Sequence, residues 1–363
     1  MKYVIEKNGR PAYLQIYEQL KRDIICGSYS AGSKLPSKRL LAEETGASVI
    51  TVEHAYDILI EEGYIDARER SGFFVVFRKQ DGFASSAPAP LLSARPAPFH
   101  SEGFPFSVLS KTMRRVLCDQ GERLFERSPN AGYTGLCEAL RLYLSRNRDM
   151  DVDADQIVIG SGAEYLYGLI IELLGRDRKY AIEYPSYEKI EQVYRAEEVD
   201  CLCLPLSGDG IGREELFSSE ADVLHVTPYR SYPTGVTASA SKRHEYIEWA
   251  NAADRYIIED DFGSEFSVST KPVDTLFALS TDQNVIYLNT FSKTISPSLR
   301  VGYMVLPKKL VPLFRQKLGF YSCTVPTYEQ AVLAELISCG DFERHINRVR
   351  RALRKAANDR GTF

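Results

Sequence analysis

Between residues 80 and 98 the chain runs Asp81-Gly-Phe-Ala-Ser-Ser-Ala-Pro-Ala-Pro and then Ala94-Arg-Pro-Ala-Pro, small residues and prolines without a hydrophobic period. That composition makes a semi-extended linker, not packed structure. The 363 residues are therefore expected to fold as a domain of residues 1–79, the linker 80–98 and a second domain of residues 99–363. With 44% hydrophobic and 26% charged residues, both have enough apolar content for a true core. No stretch approaches the length of a membrane span. Met1 to Arg10 is polar and of mixed charge, unlike a signal peptide, so a cytoplasmic location is expected. The seven scattered cysteines read as reduced core thiols, and no metal ligand set is expected.

The first domain reads as three helices and a short hairpin. Tyr13, Tyr17, Leu20 and Ile24 recur at helical spacing after Pro11. Ser37 can cap a second helix that stops at Gly46. Ser48 can cap a third, whose buried stripe would be Val52, Ala55, Tyr56 and Leu59. Two β-rich runs, Tyr64 to Ala67 and Phe73 to Phe77, flank a charged turn. Two helices joined through a glycine, with a hairpin behind, match a winged helix-turn-helix. In that motif the second helix enters the major groove of duplex DNA by its N-terminal end. Ser48, Val49, Thr51 and His54 are the candidates to face base edges. Ser37, Lys34, Lys38 and Arg39, with Arg68 and Arg70 in the wing, are candidates to meet phosphates. The plainer alternative is a solvated face of a small helical domain. A net charge of −4 argues against indiscriminate nucleic-acid coating but not against a small specific reader.

After the linker, short β-rich runs alternate with helical segments, which predicts an α/β domain with a mostly parallel sheet. One run, Val285 to Leu288, leads into Asn289-Thr-Phe-Ser-Lys-Thr-Ile-Ser-Pro-Ser-Leu-Arg300. A lysine after a strand, ringed by hydroxyls and followed by an arginine, suits a phosphate-bearing aldehyde. Lys293 would form the Schiff base, and Thr290, Ser292 and Arg300 would hold the phosphate. Gly160-Ser-Gly-Ala follows another strand and opens a helix, so Ser161, Gly162 and Ala163 can offer backbone N–H groups to an anion. Tyr256-Ile-Ile-Glu-Asp-Asp-Phe ends a strand in three carboxylates, of which Asp260 is the choice to pair with a protonated ring nitrogen. Tyr187 can stack on or bond to such a ring, though ordinary aromatic packing explains it equally well.

Gly32-Ser-Lys-Leu-Pro-Ser-Lys-Arg, Gly46-Ala-Ser-Val-Ile-Thr-Val and Ser71-Gly-Phe-Phe-Val resemble the GntR family of DNA-binding regulators. Ser128-Pro-Asn-Ala-Gly-Tyr-Thr-Gly-Leu, Tyr184-Pro-Ser-Tyr, Tyr232-Pro-Thr-Gly, Ile258-Glu-Asp-Asp-Phe and the Lys293 segment resemble fold-type I, class I/II aminotransferases. In this order the whole resembles the MocR subfamily of GntR regulators. The resemblance implies pyridoxal 5'-phosphate on Lys293, Asp260 against the ring nitrogen, Arg300 on the phosphate, and a homodimer reading a double-stranded DNA operator.

Four departures from the family pattern stand out. Val49 replaces an arginine at the start of the recognition helix, exchanging a bidentate fork for an apolar contact. Phe262 replaces a tyrosine beside the cofactor position, and Ala163 a hydroxyl residue of the phosphate loop. Tyr229-Arg-Ser replaces Ser-His-Gln in one wall of the pocket. The aminotransferase-like domain is also expected to lack its C-terminal small lobe, which normally supplies an arginine for a substrate carboxylate. The expectation is therefore a regulator without net transaminase activity, sensing pyridoxal phosphate or an amine or amino-acid effector through an aldimine at Lys293. The alternatives are an active aminotransferase carrying a DNA-binding domain, and a DNA-binding protein on a degenerate dimerisation scaffold.

Overall fold

The computed structural model describes residues 3, 5, 11–68, 71–77, 103–268, 274–281 and 283–359. The predicted linker 80–98 and Arg70 lie outside them. The chain divides into two compact units.

In the N-terminal unit, α1 (Ala12–Ile25), α2 (Lys38–Thr45) and α3 (Val49–Glu61) precede a hairpin of β1 (Ile65–Arg68) and β2 (Gly72–Val75). Both predicted caps form. The Ser37 hydroxyl accepts from the Leu40 N–H at 3.2 Å and that of Ser48 from the Thr51 N–H at 3.1 Å. Gly46 follows α2 at φ 69°, the left-handed turn that lets the chain swing into α3. The buried stripe of α3 is Val52, Ala55, Tyr56, Ile58 and Leu59, closing onto Ile16, Tyr17 and Leu20 of α1.

The second unit is built on a sheet of strand order β3-β10-β9-β8-β7-β4-β5-β6. The strands are β3 (Ile157–Gly160), β4 (Tyr180–Tyr184), β5 (Cys201–Ser207), β6 (Gly210–Ile211), β7 (Val223–Val226), β8 (Tyr256–Asp260), β9 (Val285–Thr290) and β10 (Gly302–Val305). β5, β4, β7, β8 and β9 run parallel, while β10 is antiparallel to both β9 and β3. The mixed, mostly parallel sheet explains why these strands are near-continuous apolar runs: both faces are covered. Alternation still sorts side chains between faces. Ile157, Ile159, Tyr287, Tyr303 and Val305 face one core with helices Thr134–Arg148 and Thr327–Ser338. Val158, Ile286, Leu288 and Met304 face the other with helices Ala163–Leu174 and Val311–Lys317.

The cysteines differ from expectation. Only Cys137 is buried, while Cys26, Cys118 and Cys203 are exposed and all seven are free. Cys201 and Cys203, two apart on β5, share a face. No helix among the described residues is long and apolar enough to cross a membrane.

Candidate functional site

The register of three neighbouring strands assembles the centre of the site. Gly160 at the end of β3 stands opposite Gly302 of β10, which stands opposite Thr290 at the end of β9. The loop that follows β3, the residues that follow β9 and Arg300 just before β10 are therefore side by side. Open α/β sheets place ligands at this carboxyl edge. A cavity of about 510 Å³ opens there, lined among others by Ala163, Tyr187, Asp260, Phe262, Thr290, Ser292, Lys293 and Arg300.

Lys293 lies in the turn after β9, with its ammonium 4.7 Å from the Phe262 ring centroid. Gly263 is what admits it. A Cβ at that position, which sits at φ 75°, would lie 2.2 Å from Nζ. Burial, with the positive charge of Arg230 adding to it, holds the Lys293 ammonium below the ordinary lysine range, and buried Glu265 opposes them. An amine more easily neutral is a better nucleophile toward an aldehyde.

Asp260 is buried at the end of β8 and accepts from the Tyr167 hydroxyl. His225 Nε2 lies 3.8 Å from the same carboxylate, and its Nδ1 is 3.0 Å from the Tyr194 hydroxyl. Next along the chain, Asp261 forms a buried ion pair with Arg148 at 2.7 Å and accepts from the Tyr287 hydroxyl at 2.6 Å. Two consecutive carboxylates thus part company: Asp261 is tied into the core, while Asp260 lines the cavity.

The anion end is less simple than the sequence suggests. Gly162, at φ 99°, heads helix Ala163–Leu174, and a Cβ there would approach Arg300 Nη2 to 3.3 Å. Ala163 lines the cavity, but the Ser161 N–H is taken by the Thr324 hydroxyl at 3.1 Å. Glu164, in the first turn of the same helix, pairs with Arg300 and, at 3.0 Å, with Lys189. Partial burial works against its charge, yet these two cations hold the Glu164 carboxyl below its ordinary range. A carboxylate therefore occupies the cation that a phosphate would use. Glu164→Gln should raise affinity for pyridoxal phosphate about tenfold, by removing a competing anion from a charge-assisted contact. An absorbance titration checks it; weaker binding would make Glu164 an orienter of Arg300 instead.

The residues present fit a pyridine-aldehyde phosphate. Thr290 Oγ1 is buried without a hydrogen-bond partner among the described residues, beside Arg300 and the helix N-terminus. Lys293 supplies the amine and Asp260 a buried carboxylate. Sequence reasoning placed Tyr229-Arg-Ser in a pocket wall, of which Arg230 lines the cavity, but missed Glu164 and Tyr167 and gave Tyr232 no role. Tyr167 reads from sequence as one more apolar position of its helix.

On the N-terminal unit, Val49 and Ile50 are 43% and 67% exposed at the start of α3, an unpartnered apolar pair at the end that would enter a groove. Ile50 went unremarked in the sequence, although the Val-Ile pair directly after a cap was its signal. Lys34, Arg39, Ser48, His54 and Arg68 are exposed around it, while Thr51 is partly buried and bonded to Ser48 at 2.8 Å. Ser37 is exposed and caps α2 as an acceptor, which leaves its O–H able to donate. Lys38 is half-buried in an ion pair with Glu53. Arg68 stacks on Phe74 at 4.5 Å and Lys34 approaches the same ring at 5.9 Å, so the wing presents two cations together.

Residues 12–75 match the bacterial regulatory proteins of the gntR family, and residues 99–359 match aminotransferase class I and II. This chain belongs to the MocR-type regulators of the GntR family. The HTH-type transcriptional regulator YdeL of Bacillus subtilis (strain 168) is 32% identical over 357 residues, 95% of this chain and 77% of that protein. The probable rhizopine catabolism regulatory protein MocR of Rhizobium meliloti is 28% identical, covering 94% of this chain and 74% of its own. The pyridoxine biosynthesis transcriptional regulator PdxR of Corynebacterium glutamicum is 29% identical, covering 94% and 76%. Among solved structures, the α-aminoadipate aminotransferase LysN of Thermus thermophilus superposes with a TM-score of 0.61 at 26% identity. It covers 70% of this chain, which spans 66% of it. An archaeal alanine:glyoxylate aminotransferase gives 0.61 at 23% identity, covering 67% of this chain, which spans 62% of that structure. These structures share the fold of the second unit.

Proposed function

We propose that this MocR-type regulator binds pyridoxal phosphate in its aminotransferase-type unit. On this reading the occupancy of that site, by cofactor alone or with an amine or amino-acid effector, sets the affinity of a cytoplasmic homodimer for its DNA operator. The supporting observation is convergence: Lys293, Asp260, Thr290, Ser292 and Arg300, drawn from β8, β9 and the turns that follow, border one cavity. The cofactor would supply an aldehyde and an electron-withdrawing ring. Lys293 would anchor the aldehyde, Asp260 would hold a proton on the ring nitrogen, and Arg300 with Thr290 would take the phosphate. Tyr167, donating to Asp260, fixes the orientation of that carboxylate in the cavity wall. An effector shifts DNA affinity only so far as it favours one state of the protein over the other.

The test is an absorbance titration of the full chain with pyridoxal phosphate, before and after borohydride, beside Lys293→Ala. A visible band that borohydride fixes onto the wild type alone is expected. A band unchanged in Lys293→Ala, or none in either protein, would overturn the reading.

A further inference from the structure

Among the described residues, cations line this cavity at three places, and two are already committed. Arg300 is paired with Glu164, and Lys293 is the amine an aldehyde would consume. The third is Arg230. Arg230 lines the cavity and its charge reaches Lys293. Its side chain is exposed, and among the described residues it forms no ion pair; it meets the ring of its neighbour Tyr229, at 5.5 Å.

The backbone holds Arg230 there at a cost. It sits at φ 49°, in the left-handed region that a branched or long side chain seldom adopts. Two bonds maintain it: the Arg230 N–H donates to the Thr237 hydroxyl at 3.1 Å, and the Ser231 N–H to the Val236 carbonyl at 2.8 Å. The Ser231 hydroxyl in turn donates to buried Glu183 at 2.6 Å. A strained turn anchored on three sides therefore presents a cation with no anion of its own to a cavity built around an amine. Strain of this kind clusters at active sites and ligand clamps, and Arg300 of the same cavity shares it at φ 50°.

From this we infer that Arg230 reads a carboxylate on the effector, so that the ligand class is an amino acid and not a simple amine. The inference rests on the cofactor-site reading above and adds the polar group at the far end of the ligand. A planar guanidinium meets a carboxylate through two parallel N–H donors, a match that an alkyl or neutral group cannot make. The same fixed positive charge would disfavour a diamine.

The experiment uses the full chain loaded with pyridoxal phosphate, titrated calorimetrically and by absorbance. The probes are glycine, β-alanine and δ-aminovalerate, each beside its decarboxylated partner methylamine, ethylamine or butylamine. The expected result is that at least one acid binds about tenfold more tightly than its amine, the worth of one charge-assisted contact at a partly solvated site. Arg230→Gln should erase that preference while keeping a lysine-dependent band, whose pH dependence moves up as the Arg230 charge is lost, and Arg230→Lys should restore part of it. No preference in the wild type, or a preference that survives in Arg230→Gln, would overturn the inference with the cofactor reading intact. If the band does not depend on Lys293, the cofactor reading fails and carries this inference down with it.

Discussion

Replacing Arg148 by methionine is expected to destabilise the aminotransferase-type unit by about 3–5 kcal/mol, the usual consequence of stranding a buried charge. Arg148 ends helix Thr134–Arg148 and is 5% exposed, as is its partner Asp261. Its guanidinium also donates to Ser264. Glu265 is buried in the same neighbourhood, where the Asn289 amide donates to it at 2.6 Å. Removing the cation would leave Asp261 with only the Tyr287 hydroxyl and its surroundings to bear a full negative charge. Thermal unfolding of the two proteins measures the loss, expected to be on the order of 10 °C. The double variant Arg148→Met, Asp261→Asn should recover much of it, because the charge to be compensated has gone. A single variant within about 1 kcal/mol of the wild type would show that the pair contributes little.

That pair also bears on function. Asp261 follows Asp260 directly, so anchoring one fixes the backbone that aims the other into the cavity. Glu265 is the carboxylate that works against the depression of the Lys293 pKa. Disturbing Arg148 should therefore shift the pH at which Lys293 becomes neutral, as well as the stability.

The sequence carried the outline of this because some signals are local. Lys293 and Arg300 lie in one turn between β9 and β10, and hydroxyls beside a lysine after a strand are visible without a fold. The apolar runs of β3, β9 and β10 are long enough to declare themselves. β6, only Gly210–Ile211, is too short to show a period. The antiparallel course of β10 leaves no mark on composition, because a strand buried on both faces reads alike in either direction. The remaining site residues act across the fold. Tyr167 reaches Asp260 over 93 positions and Ser231 reaches Glu183 over 48. Glu164 resembles an ordinary first-turn acid until Arg300 is found against it. Arg230 is legible as part of a changed pocket wall, but its positive φ and its lack of a pairing anion among the described residues are not.

Glu183 supplies the second large effect. It ends the buried stretch of β4 and is 4% exposed, accepting from the Ser231 hydroxyl and, at 3.1 Å, from the Thr227 N–H. No cation pairs with it among the described residues, and the charged group that acts on it is Asp260, of like sign. Burial, eased by those two hydrogen bonds, pushes the Glu183 carboxyl from its ordinary 4.5 up to about 7. A carboxyl raised in the folded state binds its proton more tightly there than in the unfolded chain. Its contribution is thus fully present below about 4.5 and is lost as pH climbs through about 7. The loss amounts to about 3 kcal/mol over that window. Glu183→Gln keeps an acceptor for Ser231 and Thr227 but cannot ionise. Its stability relative to the wild type should therefore improve by about that amount between pH 4.5 and pH 8, whatever its offset at low pH. Melting curves for both proteins across the range decide the matter. A constant difference would mean that Glu183 titrates near its ordinary value. A difference that moved the other way would mean that a cation approaches it and holds it ionised beside Asp260.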